Sequence, residues 1–324
     1  MKAATRAIHS RQVVNPKSGS RRSILHRYQA GLLPRVTITL ICLFLLLLPF
    51  ATVVASAELN GSQRQITVGE RELAVWTWLP MQSPERGVIL FSHGYASAPW
   101  KYEQLIRPWV ESGYRVEAPL HVDSTDHPRR DDFPGLAAWT ARLEDMRALS
   151  QELAGASYVA AGHSFGALTA LALGGAEAFV PDEITAPLED AAVSVVLAFS
   201  PPPTVEGLIS EEGYSSLSRP ALIQTGTLDV PMGADYPWEK HLDAFHMAKS
   251  GGHRYALVLA GVDHYFGGGI CRPELPGPQQ LAELEVASQL SILMIQAYAE
   301  HAADALTRLE AYLQGEGPTV LMYK

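Results

Sequence analysis

The chain has 324 residues, with 25 Lys/Arg against 34 Asp/Glu, a net charge of −9, and two cysteines. An acidic balance argues against nucleic acid or an anionic membrane surface as partner. With Cys42 in a leader and Cys271 the sole cysteine after it, an intrachain disulfide in the exported chain is excluded.

Residues 1–35 carry eight Lys/Arg and no acid. Val36 to Val54 is uncharged and apolar, and Ala55-Ser56-Ala57 supplies an A-x-A cleavage pattern. The segment 1–57 reads as an export signal cut after Ala57, with an uncleaved anchor as the alternative, so the protein is expected to be periplasmic or secreted. The leader's +8, set against −9, leaves −17 on 267 residues, a length suited to one α/β domain over 58–324.

After the leader, a strand pair is expected at Arg64–Val68 and Glu72–Trp78, then a strand over 87–92. The loop His93-Gly94-Tyr95-Ala96 follows it. A helix over 100–112 and a strand over 114–119 lead to His121, Asp123, Asp126 and His127. Those four have the chemistry of metal ligands, but they read first as a polar loop at a sheet edge, with substrate contact a third option. A helix over 136–154 precedes a buried strand over 157–162.

Gly162-His163-Ser164-Phe165-Gly166 then fits G-x-S-x-G, followed by an alanine-rich helix over 165–174. This strand, sharp turn and helix form the context in which a serine is presented as a nucleophile, above a helix N-terminus that favours negative charge. A serine hydroxyl needs a base, and the base needs an orienting acid. A strand over 193–199 is followed by Ser200 to Arg219, about twenty residues. That is too short for a large inserted lid, which favours an open site and short-chain or surface-exposed substrates. Trp100, Tyr214 and Phe266 are candidates to line it, and each reads equally well as ordinary packing. The strand over 220–225 ends at Gly226, and Asp229 in the next loop is the candidate acid. A helix near 238–249 and a strand over 254–260 lead to a glycine-rich loop. There His264 is the candidate base and Asp263 a supporting loop residue. Cys271 reads as a structural thiol. A long helical stretch over about 279–314, with Leu281, Leu284, Leu290, Leu293, Leu306 and Leu309 at helical spacing, closes the chain as a packing element. Alternating strands and helices after a leading hairpin imply an α/β fold with a mostly parallel sheet covered on both faces.

On His93-Gly94-Tyr95, Gly162-His163-Ser164-Phe165-Gly166, Asp229 and His264, the chain resembles serine-dependent α/β-hydrolases of the dienelactone-hydrolase-like branch, near platelet-activating-factor acetylhydrolases and cutinase-like polyesterases. Dienelactone hydrolases proper carry cysteine where Ser164 stands. The resemblance spans about residues 65–314 and implies the α/β-hydrolase fold with little or no lid. It implies a Ser164, Asp229, His264 triad and an oxyanion hole from the Tyr95 and Phe165 amides. Tyr95, His163 and Phe266 would contact a small-molecule or lipid-like ester, with no cofactor and no metal. Two alternatives stay open: a phospholipase or acetylhydrolase acting on short-acyl lipid esters, and a catalytically silent binding module.

Overall fold

The computed structural model describes residues 59, 61–179, 184, 187–313 and 317–324. The export-signal and anchor readings fall on residues outside these. Among the described residues, nine strands form one sheet: β1 (Ser62–Val68), β2 (Arg71–Trp78), β3 (Gly87–Ser92), β4 (Tyr114–Pro119), β5 (Tyr158–His163), β6 (Val193–Phe199), β7 (Ala221–Leu228), β8 (Arg254–Asp263) and β9 (Thr319–Tyr323). Their order is β1-β2-β4-β3-β5-β6-β7-β8-β9. The run from β4 through β8 is parallel, and the antiparallel pairings lie toward the two edges.

The helices are α1 (Glu103–Glu111), α2 (Leu136–Glu152), α3 (Phe165–Leu173), α4 (Glu211–Ser215), α5 (Asp243–Met247), α6 (Leu281–Tyr298) and α7 (Ala303–Leu313). Side chains alternate across each strand, so neighbours feed two different cores. Ile89 and Phe91 pack with α1, α6 and α7 on one face; Val88 and Leu90 pack with α2, α3 and α5 on the other. Burial on both faces explains why the central strands read as unbroken apolar runs.

Three expectations are refined. The helix over 100–112 is a 3-10 turn, Pro99–Tyr102, followed by α1. The closing helical stretch is two helices, because His301 takes φ +58° between them. The Glu300 carboxylate beside that turn is tied to Arg86 and to the Tyr114 hydroxyl. The helix near 238–249 is a 3-10 turn, Trp238–Leu242, followed by the short α5. The edge strand β9 has no signature in the sequence: five residues with only Leu321 buried give no usable period.

Sheet register builds the site. Ser92 pairs with Gly162, so the loop after β3 meets the turn after β5. Leu228 pairs with Asp263, so the next residues, Asp229 and His264, leave the sheet side by side.

Candidate active site

Ser164 sits at the tip of the β5–α3 turn with φ 55° and ψ −120°, a conformation strained for any residue with a side chain. The turn is tight enough that a methyl group on Gly162 would lie 2.1 Å from the Gly166 carbonyl oxygen, and one on Gly166 would lie 1.9 Å from that of Ser92. Both glycines are therefore steric requirements. The Ser164 amide donates to the Phe199 carbonyl at 2.8 Å, which anchors the turn to β6.

His264 Nδ1 lies 2.6 Å from Asp229 Oδ1, and the Thr225 hydroxyl donates to Asp229 Oδ2 at 2.8 Å. Both residues are buried. Burial alone would raise the Asp229 pKa, but hydrogen bonds from His241 and His264 outweigh it and hold the carboxyl well below its ordinary range.

A hydrogen-bonded chain ties base, turn and oxyanion loop together. The Gly94 amide donates to the Tyr102 hydroxyl (2.9 Å), which donates to His163 Nδ1 (3.0 Å). His163 Nε2–H then donates to the His264 carbonyl at 2.9 Å. The rings of His163 and His264 are 4.7 Å apart. His163 is thus a buried brace between the candidate catalytic segments, not a group open to substrate, and burial, with His264 next, pushes its pKa well below the ordinary value.

The loop after β3, which carries the candidate oxyanion donor Tyr95, is oriented from behind. The Gly94 carbonyl accepts from His93 Nδ1 (2.8 Å), the Ser97 amide (3.2 Å) and Arg142 Nη2 (3.3 Å). A trans peptide points its N–H opposite to its C=O, so these three donors fix the direction of the Tyr95 N–H. The His93 tautomer is set by the His121 amide, which donates to His93 Nε2 at 3.0 Å and leaves the proton on Nδ1. Arg142 is fully buried, and its five N–H groups meet five acceptors. Two bonds go to Asp123 (3.1 and 2.8 Å), and one each goes to Ser92 Oγ (3.1 Å), the His93 carbonyl (2.7 Å) and the Gly94 carbonyl. Its guanidinium also stacks 4.8 Å from the Phe165 ring. One cation thereby holds both residues whose amides are candidates for the oxyanion hole.

Other sequence-based candidates fall elsewhere. Phe266 and Tyr214 are 0% exposed and packed in the two cores, and Trp100 stacks on Trp76 at 4.8 Å. None of the three lines the cavity at Ser164. Tyr95 does line it and is 56% exposed. The polar loop is internally engaged. His121 bonds Ser92 and Asp145 (both 2.9 Å), Asp126 pairs with Lys101, and His127 Nδ1 accepts from the Arg129 amide. Cys271 is buried, its thiol pKa raised by burial. Among the described residues, Asp229, His241 and His264 bring potential ligand atoms within 4.8 Å of one another. Both imidazoles, however, point at the same carboxylate oxygen, Asp229 Oδ1, so the group is a hydrogen-bonded cluster.

Arg142, Tyr102, Thr225 and His241 were not anticipated. Arg142 had a legible signal, since it falls in the stripe Trp139, Leu143, Met146 and Leu149 that α2 buries. A cation on a core stripe requires buried partners.

The cavity at Ser164 measures about 960 Å³. Phe133, Leu136, Trp139, Phe165 and Leu208 give it apolar walls, and Asp123, Arg130, Asp131 and Glu206 are the charged groups around it, Asp123 being the one member of the polar loop that reaches it. Its walls come from the β4–α2 segment, the first turn of α2, the β5–α3 turn and the loop after β6, with Tyr95 from the loop after β3.

No family model and no curated protein matches the chain. Solved structures do. A proposed dienelactone hydrolase from Klebsiella pneumoniae aligns with a TM-score of 0.54 at 11% identity, covering 75% of this chain and 100% of the other. Est1E from Butyrivibrio proteoclasticus, solved with ferulic acid, gives 0.52 at 14%, covering 72% and 99%. An alpha-beta serine hydrolase homologue from Coxiella burnetii gives 0.50 at 18%, covering 72% and 99%. The chain has the α/β-hydrolase fold.

Proposed function

We propose that this α/β-hydrolase scaffold carries an exported serine esterase that cleaves carboxylic esters through an acyl-enzyme. The observation that supports the reading most is the conjunction of a strained Ser164 with a buried Asp229–His264 pair braced against the same turn by His163.

In this reading His264 takes the Ser164 proton as the hydroxyl attacks the ester carbonyl. Asp229 fixes the imidazole tautomer, with Nδ1–H toward its carboxylate, and stabilises the imidazolium. The Tyr95 and Phe165 amides receive the oxyanion. His264 then protonates the leaving alcohol, and water, deprotonated by His264, releases the acid. The aromatic walls suit an ester with an apolar group larger than acetyl, which modifies the short-chain expectation drawn from the missing lid.

The test is Ser164→Ala against wild type, with a fluorophosphonate probe and aryl esters of rising acyl size. Wild type should be labelled and should turn over the bulkier esters. The variant should lose labelling and at least about 10³-fold in kcat. Equal activity in the two proteins removes the assignment.

A further inference from the structure

His241 lies in the 3-10 turn Trp238–Leu242 and is 1% exposed. Its Nδ1 is 2.6 Å from the Pro201 carbonyl oxygen. Its Nε2 is 3.1 Å from the Asp229 carbonyl oxygen and 3.1 Å from Asp229 Oδ1. Every partner is an acceptor. A neutral imidazole has one bare nitrogen, and here either tautomer would aim a lone pair at oxygen in a buried site. Only the doubly protonated ring satisfies both ends.

We propose that His241 is an imidazolium at neutral pH and a positioning residue for the triad, neutralising Asp229 and thereby setting the basicity of His264. The proposal rests on Ser164, Asp229 and His264 acting as described above. With His241 positive and Asp229 negative, the buried acid site is neutral at rest. As His264 gains a proton while the oxyanion forms, the total stays at zero. Without His241, the same step would leave one uncompensated negative charge in a site shielded from water.

The groups facing His241 agree with this charge. Asp229 is its counter-ion, and the His264 ring lies 5.5 Å away, tilted by 30°. The Tyr236 ring meets it edge-on at 5.5 Å, and its hydroxyl is pushed up to about 12 by burial and so stays neutral. His163 is held neutral by burial. Lys240 and Asp243, its near neighbours, pair with each other at 3.6 Å. Burial works against protonating His241, but the bond to Asp229 outweighs it, and its pKa is raised from 6.5.

A cation beside Asp229 weakens the pull of that carboxylate on a proton at His264. A neutral side chain in its place should make His264 hold its proton to higher pH. In His241→Gln, the acid limb of the kcat/KM profile should therefore move up by about one pH unit. A residue that merely packs would change kcat or stability and leave the limb in place, so an unmoved limb overturns the proposal. Nitrogen-15 NMR of histidine-labelled protein, with Ser164→Ala in place, reads the charge directly. The His241 ring, assigned by its proximity to Tyr236, should show both nitrogens protonated at pH 7.5; a one-proton pattern overturns the proposal even if His241→Gln fails to fold. Because that measurement needs no turnover, a protein that hydrolyses no ester yet carries a charged His241 would count against the esterase reading alone.

Discussion

Arg142 shows how much of the site depends on groups that never touch a substrate. Its fork spans Asp123 and the carbonyls of His93 and Gly94, so it fixes the direction of the peptide that presents the Tyr95 N–H. Lysine keeps the charge but not the planar five-donor geometry. If the Tyr95 N–H receives the oxyanion as proposed, Arg142→Lys should lower kcat by about 10–100-fold with little change in KM, because such a donor acts mainly in the transition state. It should also cost about 3 kcal/mol in urea unfolding, since the buried Asp123 loses its bidentate partner. A KM effect alone would place Arg142 in substrate binding instead. At this scale the sequence was legible only where chemistry follows chain order. Ser164, Asp229 and His264 each follow a strand end, and the structure brings the last two into hydrogen-bond contact. His241 sits in a 3-10 turn far from any motif, and its role exists only because Asp229 and Pro201 fold against it.

At the scale of elements, the expected strands over 87–92, 114–119 and 193–199 coincide with β3, β4 and β6. β3 and β6, buried on both faces, announce themselves as apolar runs between turns, whereas β4 carries Arg115 and Glu117 and is legible from its place between a glycine turn and a proline. The cavity walls were not legible. No long insertion follows β6, as its length predicted, yet Pro202, Glu206 and Leu208 from that loop still close one side. The β4–α2 segment contributes Phe133 and Leu136. A wall built from two ordinary loops has no sequence signature, because each loop is irregular and its apolar residues are few. The arrangement makes Phe133 a specificity position. Phe133→Ala should lower kcat/KM for esters of bulky aromatic acids by about tenfold, the loss of roughly 1–2 kcal/mol of apolar contact. Acetyl esters, too small to reach that wall, should change by less than about twofold. Equal losses on both esters would mean that Phe133 supports the loop rather than the substrate.

For the whole molecule, the sheet has one fixed problem, its two edges. At the β1 end, Arg64 pairs with Glu117 of β4 and Glu152 of α2, and charge lines the margin. At the other end β9 covers β8, with the register Tyr255 to Tyr323 through Leu259 to Thr319. β8 is also the strand that delivers His264. Leu321 is the inward-facing side chain of β9, 5% exposed and packed in the core with α6 and α7. Burying one leucine is worth about 1.5–3 kcal/mol, and the ladder prevents β8 from offering bare amides and carbonyls to another chain. Removing residues 318–324 should therefore lower Tm by about 5–10 °C by differential scanning calorimetry. It should also produce aggregation on heating that the full chain resists. Below the transition, ester turnover should persist, because β8 remains paired with β7 along the register that ends at Leu228 and Asp263 and sets Asp229 beside His264. An unchanged Tm would mean that β9 adds nothing to the fold. Activity lost at all temperatures would mean instead that β8 needs both neighbours to hold the base in place.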